Sequence, residues 1–190
     1  SNFAVIGSGT MGNGIAHVFA QHGHHVALID LQPAALDKAL KTIAGNLDRQ
    51  VKKGTIAPEA VAEILGRITP ATDLAAAKDC TLVVEAASEN PAIKFELFAK
   101  LDALVRPDAI LASNTSSISI TEIASRTKRP EQVIGMHFMN PVPVMQLVEV
   151  IRGHATSQAT TSTVVELSKA IGKTPVEAND YPGFVANRIL

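Results

Sequence analysis

A chain of 190 residues suits one generous domain, or one domain with the start of another. Its composition is 46% hydrophobic but only 4% aromatic, so a core is available and has to be aliphatic. Seventeen basic residues against 18 acidic ones leave a net charge of −1, which excludes nucleic-acid or membrane-surface binding driven by bulk charge. The single cysteine, Cys80, excludes an intrachain disulfide and suits a reducing, cytoplasmic compartment. No apolar run reaches the roughly 18 residues of a membrane span. "FAVIG" reads as a strand from almost the first residue, leaving no room for a signal peptide.

Short apolar runs alternate with longer amphipathic ones along the chain. "FAVIG" is followed by the helical pattern "MGNGIAHVFAQHG", the strand "HVALID" and the long helix "PAALDKALKTIAGNLDRQVKKG". A helix over "PEAVAEILGRI", the strand "TLVVEAA", the helix "PAIKFELFAKLDALV" and the strand "AILASN" come next. Pro33, Pro58 and Pro91 suit first helical turns, where the missing N–H has no partner to lose. Continuous apolar strands of this kind are those of a parallel sheet covered on both faces. Beyond "SITEIASRT" lie the strands "QVIGMHF" and "MQLVEVI", joined through "MNPVPV", then the helix "SQATTSTVVELSKAIG" and the strand "TPVEA". The expectation is an α/β fold: a doubly wound, mostly parallel Rossmann-type sheet with extra mixed strands.

The first turn carries Gly7-x-Gly9-x-x-Gly12 between a strand and a helix. Gly7 permits the tight turn, Gly9 lets a pyrophosphate approach the backbone, and Gly12 allows close helix–strand packing. The helix start, with Thr10 and Met11, presents free N–H groups to phosphate. Asp30 ends the second strand, where an acid accepts from the adenosine ribose hydroxyls. A carboxylate there repels a 2′-phosphate and "IDLQP" has no arginine to receive one, so NAD is expected over NADP.

Ligands of such sheets lie outside the carboxyl ends of the strands. Glu85, Glu89, Asn114, Ser116, His137 and Asn140 all stand at such ends. Asn114 and Ser119 read equally as helix caps. If "VIGMHF" and "LVEVI" pair, Glu149 reaches His137, fixing the imidazole tautomer and stabilising imidazolium, as a general base requires. His17, His22, His24 and His25 read as packing or solvated residues. They have no acidic or thiol companions, so no metal is expected. Cys80 opens a buried strand and reads as inert core.

Together "GSGTMGNGIA", "VVEAASEN", "LASNTSSISI", "GMHFMNPVPVMQLVEVI" and "PGFVANRIL" resemble the L-3-hydroxyacyl-CoA dehydrogenase family, particularly the bacterial 3-hydroxybutyryl-CoA dehydrogenases, over essentially the whole chain. The resemblance implies NAD-dependent, reversible oxidation of a short-chain (S)-3-hydroxyacyl-CoA to the 3-ketoacyl-CoA. By it, His137 is the base, Glu149 its partner, Ser116 a hydrogen-bond donor to the substrate's 3-oxygen, and Asn187 a group that holds and polarises substrate. It also implies NAD contacts at Gly7, Gly9, Thr10, Met11, Gly12, Asp30, Glu89, Lys94 and Asn114, and CoA contacts at Asn46 and Lys53. Family members continue past "NRIL" into a helical domain that dimerises. The expected division is therefore residues 1–183 for the NAD-binding domain and 184–190 for the start of the next, the full-length form being a homodimer. A protein of the same fold that binds dinucleotide or is structural, with little or no turnover, is the alternative.

Overall fold

The computed structural model describes residues 1–180. Asn187, the expected boundary at residues 183/184 and the start of a second domain lie outside the described residues.

Along the first strand, β1 (Asn2–Ile6), alternate side chains enter two different cores: Phe3 and Val5 one, Ala4 and Ile6 the other. That period of two is what a strand covered on both faces requires. The same division runs through β2 (His25–Ile29), β4 (Leu82–Glu85), β5 (Ile110–Ser113), β6 (Val133–Phe138) and β7 (Leu147–Arg152), with β3 (Ile68–Ala71) and β8 (Thr174–Asn179) at the two edges. The order is β3-β2-β1-β4-β5-β6-β7-β8. The first six are parallel, β7 runs antiparallel to β6, and β8 lies parallel to β7. This is the expected doubly wound sheet with mixed strands added at one side.

Helix α1 (Thr10–Gln21) buries Ile15, Val18 and Phe19, and α2 (Pro33–Lys52) buries Leu36, Ala39, Ile43 and Leu47, one stripe at three- and four-residue spacing. With α3 (Ala60–Gly66) and α6 (Gln158–Ala170) they close one core. On the other face α4 (Pro91–Leu104) contributes Phe98 and Leu101, and α5 (Ile120–Ala124) contributes Ile120 and Ile123. Each such side chain stabilises the fold by about 1.5–3 kcal/mol. Phe19 touches the rings of Phe3, His24 and Phe138. Truncating it to alanine therefore costs about 3–5 kcal/mol.

Two elements differ from expectation. The helix read over "PEAVAEILGRI" spans only Ala60–Gly66, so Pro58 precedes it instead of opening it. Ile68 begins strand β3 instead. Pro70 within "ITPA" hid that strand, and it is tolerated because β3 is an edge. Cys80 is buried, as expected, and burial followed by the nearby Asp79 charge raises its thiol pKa. No described helix is long and apolar enough to cross a membrane.

Candidate functional site

Strand order reverses between β1 and β4, the place where an open α/β sheet leaves a crevice. Gly7 turns the chain there with φ +95°, and a Cβ on it would lie 2.7 Å from Ala87 Cα just past β4. A Cβ on Gly12 would meet the Gly7 carbonyl oxygen at 1.7 Å. No side chain is tolerated at either position. Gly9 faces open space and caps α1 without any side-chain hydrogen bond, which leaves the helix N–H groups to a ligand. Asp30 braces this corner. Its Oδ2 accepts from the Ser8 N–H (3.0 Å) and hydroxyl (2.7 Å), its Oδ1 from the Gln32 N–H (3.0 Å). Burial pushes the Asp30 pKa up, but these bonds from Gln32 and Ser8 outweigh it and hold it below the usual carboxylate value.

Two clefts flank the loop. One of about 700 Å³ runs from Gly7 and Gly9 past Asp30 to the apolar side chains of Leu31, Ile93 and Leu97. The other, about 360 Å³, lies between Thr10, Asn13, Lys38, Asn46 and the turn at Asn140 and Pro141. A pyrophosphate with one arm toward Asp30 fits this layout: an open glycine backbone, an uncapped helix N-terminus and a carboxylate acceptor.

The ends of β4 and β5 carry a buried ion pair. Lys94 Nζ lies 2.8 Å from Glu85 Oε1 and donates to Ser113 Oγ at 3.2 Å, while Ser113 Oγ donates to Glu85 Oε1 at 2.7 Å. Glu85 Oε2 receives the N–H groups of Ala87 and Ser88. Thr115 and Ser117 donate side-chain hydroxyls to Glu89, which lies 3.9 Å from Lys94. Every loop at this rim is thus tied to another.

At the end of β6 the antiparallel register sets His137 opposite Glu149 on β7, and His137 Nδ1 lies 3.1 Å from Glu149 Oε1. With the proton on Nδ1 donated to the carboxylate, Nε2 keeps a lone pair available for another proton. The pair is partly open, with side chains 20% and 25% exposed. Asn114 Oδ1 accepts from the Phe138 N–H at 2.8 Å, tying the loop that bears Ser116 to the residue after His137.

Residues 2–181 match the family described as "3-hydroxyacyl-CoA dehydrogenase, NAD binding domain". The chain belongs to this family. Among its relatives, the 3-hydroxybutyryl-CoA dehydrogenase of Clostridioides difficile is 54% identical over 187 residues, covering 98% of this chain and 66% of the relative. A probable 3-hydroxybutyryl-CoA dehydrogenase of Deinococcus radiodurans is 54% identical over 190 residues, 99% of this chain and 67% of that one. The crystal structure of 3-hydroxybutyryl-CoA dehydrogenase from Escherichia coli K12 has 46% identity and a TM-score of 0.95, covering 100% of this chain and 40% of that one. The structure of (S)-3-hydroxybutyryl-CoA dehydrogenase PaaH1 from Ralstonia eutropha has 46% identity and a TM-score of 0.94, with 99% and 66% covered. The chain spans about two thirds of the length of the curated relatives it matches. NAD is the cofactor of the family domain, and the glycine corner fits it.

Within this frame Gly7, Gly9, Thr10 and Asp30 line the clefts, and Asn46 lines the smaller one while accepting from Arg49. Gly12 packs helix to strand, and Met11 turns toward the core. Lys94 is buried on Glu85 and Ser113, Glu89 sits on the Thr115–Ser117 loop, and Ser116 is exposed on that loop. Lys53 is exposed at the end of α2 and lines neither cleft. Ser119 caps α5 through the Glu122 N–H. His17 is buried with Nε2 facing Gln21 and Gln50, and His24 stacks on Phe3. Ser8, Lys38 and the exposed apolar Leu31 escaped the sequence reading. Their only sequence signal is adjacency to the glycine loop, to Asp30 or to the α2 stripe.

Proposed function

We propose that the full-length protein carrying this domain performs NAD-dependent, reversible oxidation of a short-chain (S)-3-hydroxyacyl-CoA to the 3-ketoacyl-CoA. The observation that carries the reading is the His137–Glu149 pair near the carboxyl end of β6, the end of the parallel strands where the glycine corner also lies. The bound nicotinamide supplies the hydride acceptor for the carbon that bears the hydroxyl. His137 Nε2 takes the hydroxyl proton as that carbon is oxidised, and Glu149 stabilises the resulting imidazolium through Nδ1–H. Ser116, on the loop tied to Phe138, donates to the 3-oxygen, and Asn187 joins it from beyond the described residues. Asn46 in the smaller cleft and Lys53 meet the CoA moiety. Glu89 and Lys94 form the nicotinamide-side rim, with Asn114 holding it to β6. Asp30 selects NAD over NADP by charge. The names of the relatives support the substrate class. In its full-length form the protein is a cytoplasmic homodimer, assembled through a helical domain after residue 183.

The deciding assay is acetoacetyl-CoA-dependent oxidation of NADH by the full-length protein, beside direct titration of NADH binding. Consumption of NADH in step with acetoacetyl-CoA is expected. NADH binding without turnover would leave a dinucleotide-binding protein and refute the catalytic reading.

A further inference from the structure

The connection between β6 and β7 has eight residues, 139–146. Two- to five-residue hairpin loops set strand register through their turn type, but a connection of this length does not. Register matters here more than elsewhere in the sheet. A slip of one residue would move Glu149 to the opposite face, away from His137.

Within the connection the chain makes one helical turn, the N–H groups of Val144 and Met145 both donating to the Pro141 carbonyl. The carbonyls of Val142 and Met145 point to a single group, the Lys173 ammonium, at 2.6 Å each. Lys173 is 8% exposed, and among the described residues no carboxylate lies within 4.0 Å of it. A long flexible cation is seldom placed this way without a function for its charge. Its backbone is fixed as well. Gly172 adopts φ +78° after α6, the Lys173 N–H closes back on Ser168 O at 2.9 Å, and Thr174 N–H begins the β7–β8 pairing on Gln146 O at 2.8 Å. The turn is gripped on its other side by α1, where a Cβ on Gly14 would come within 2.7 Å of Val142 Cβ.

We propose that Lys173 is a positioning residue for proton transfer: by holding the Val142 and Met145 carbonyls, its ammonium sets the register and separation at which Glu149 meets His137. Burial lowers the Lys173 pKa, so desolvation works against the charge that these carbonyls retain. The group touches neither the reacting atoms nor the cofactor clefts; it acts through the hairpin. The inference rests on reading His137–Glu149 as the proton-transfer pair.

The test uses Lys173→Met and Lys173→Arg in the full-length protein, with three readouts: NADH affinity, amide exchange of Val144 and Met145, and the kcat–KM split with acetoacetyl-CoA. In Lys173→Met the two amides should exchange at least tenfold faster and kcat should fall about tenfold or more, since small misplacements are amplified in rate. NADH affinity should stay within about twofold, and KM should change less than kcat. Lys173→Arg keeps the cation and should recover most of kcat. It also serves as the readable variant if the methionine protein does not fold. Unchanged amide protection in Lys173→Met, a parallel loss of NADH binding and kcat, or no recovery by arginine would each overturn the proposal. Absence of turnover in the unsubstituted protein would instead sink the catalytic reading, while the amide exchange would still decide whether Lys173 holds the turn.

Discussion

Two acid–base pairs, one joining the end of β4 to α4 and the other joining β6 to β7, have opposite characters. Glu85 and Lys94 are each 1% exposed, and Glu85 receives the ammonium, a serine hydroxyl and two backbone N–H groups. His137 and Glu149 meet through Nδ1 and Oε1 and remain partly exposed. A buried pair with its bonding capacity filled cannot exchange a proton cheaply, so it fixes loops. A half-open pair with one nitrogen unengaged can accept a proton from a substrate. The bases differ in kind as well as in setting: an ammonium sealed among filled acceptors is scaffold, and an imidazole open to solvent can turn over a proton.

The widest separation between the two pairs should appear on removing one member of each. In the full-length protein His137→Ala should lower kcat by about 10²–10⁴. NADH binding should persist and stability should move by about 1 kcal/mol or less, as steady-state kinetics and thermal melts will read. Glu149→Gln should cause a smaller loss, because the carboxylate that orients the imidazole is gone. If His137→Ala keeps full activity, the proton-transfer assignment is wrong.

Lys94→Met should show the reverse pattern. Stranding the Glu85 carboxylate in the interior costs about 3–5 kcal/mol, or about 2–4 °C in melting temperature for each kcal/mol at this size. Loss of catalysis should follow the loss of folded protein. A melting temperature unchanged from the parent would show that this pair does not hold the rim.

Asp30 lies between these extremes, a part-buried carboxylate with three donors and space beside it. Asp30→Ala should weaken NADH binding by roughly ten- to a hundredfold, the usual value of charged hydrogen bonds, and narrow the preference over NADPH. Equal affinity of the parent protein for the two cofactors would show that Asp30 does not read the ribose.

The smallest effect concerns His17, buried in α1 and opposed as a cation first by desolvation, then by the charges of Lys173 and His22, its bonds to Gln50 and Gln21 only partly offsetting them. Its folded pKa lies below the ordinary value of 6.5. The unfolded chain therefore binds a proton first, and stability present above pH 6.5 is lost as pH falls through the folded pKa. His17→Gln should flatten that limb of the stability–pH curve, measured by denaturant titration. An unchanged limb would place the acid sensitivity elsewhere.

Much of the fold can be read directly from local pattern. Apolar strand runs, amphipathic stripes and prolines at helix starts produce the doubly wound sheet, and Gly7, Gly9, Gly12 and Asp30 form a corner within one βαβ unit. The edge strand β3 could not be read, because Pro70 breaks the strand signal and only its place at the sheet edge makes the residue harmless. His137 and Glu149 were legible as a pair only on condition that their strands paired, and the antiparallel register meets that condition. Lys173 was the opposite case, and so was the burial of Lys94, which the family resemblance marked only as an NAD contact. A lysine in a sequence reads as solvated, and nothing local shows that its ammonium will be withdrawn from water.

What the sequence by itself determined is therefore the chemistry whose geometry is short-range: turn glycines, an acid at a strand end, strand and helix periodicity. Those features depend on backbone sterics within about 30 neighbouring residues. The tertiary structure alone decided which charges are buried: Glu85 with Lys94, and Lys173 against the Val142 and Met145 carbonyls. Burial is set by segments distant in the chain that arrive from several directions at once, so the same side chain is scaffold or surface according to what packs over it.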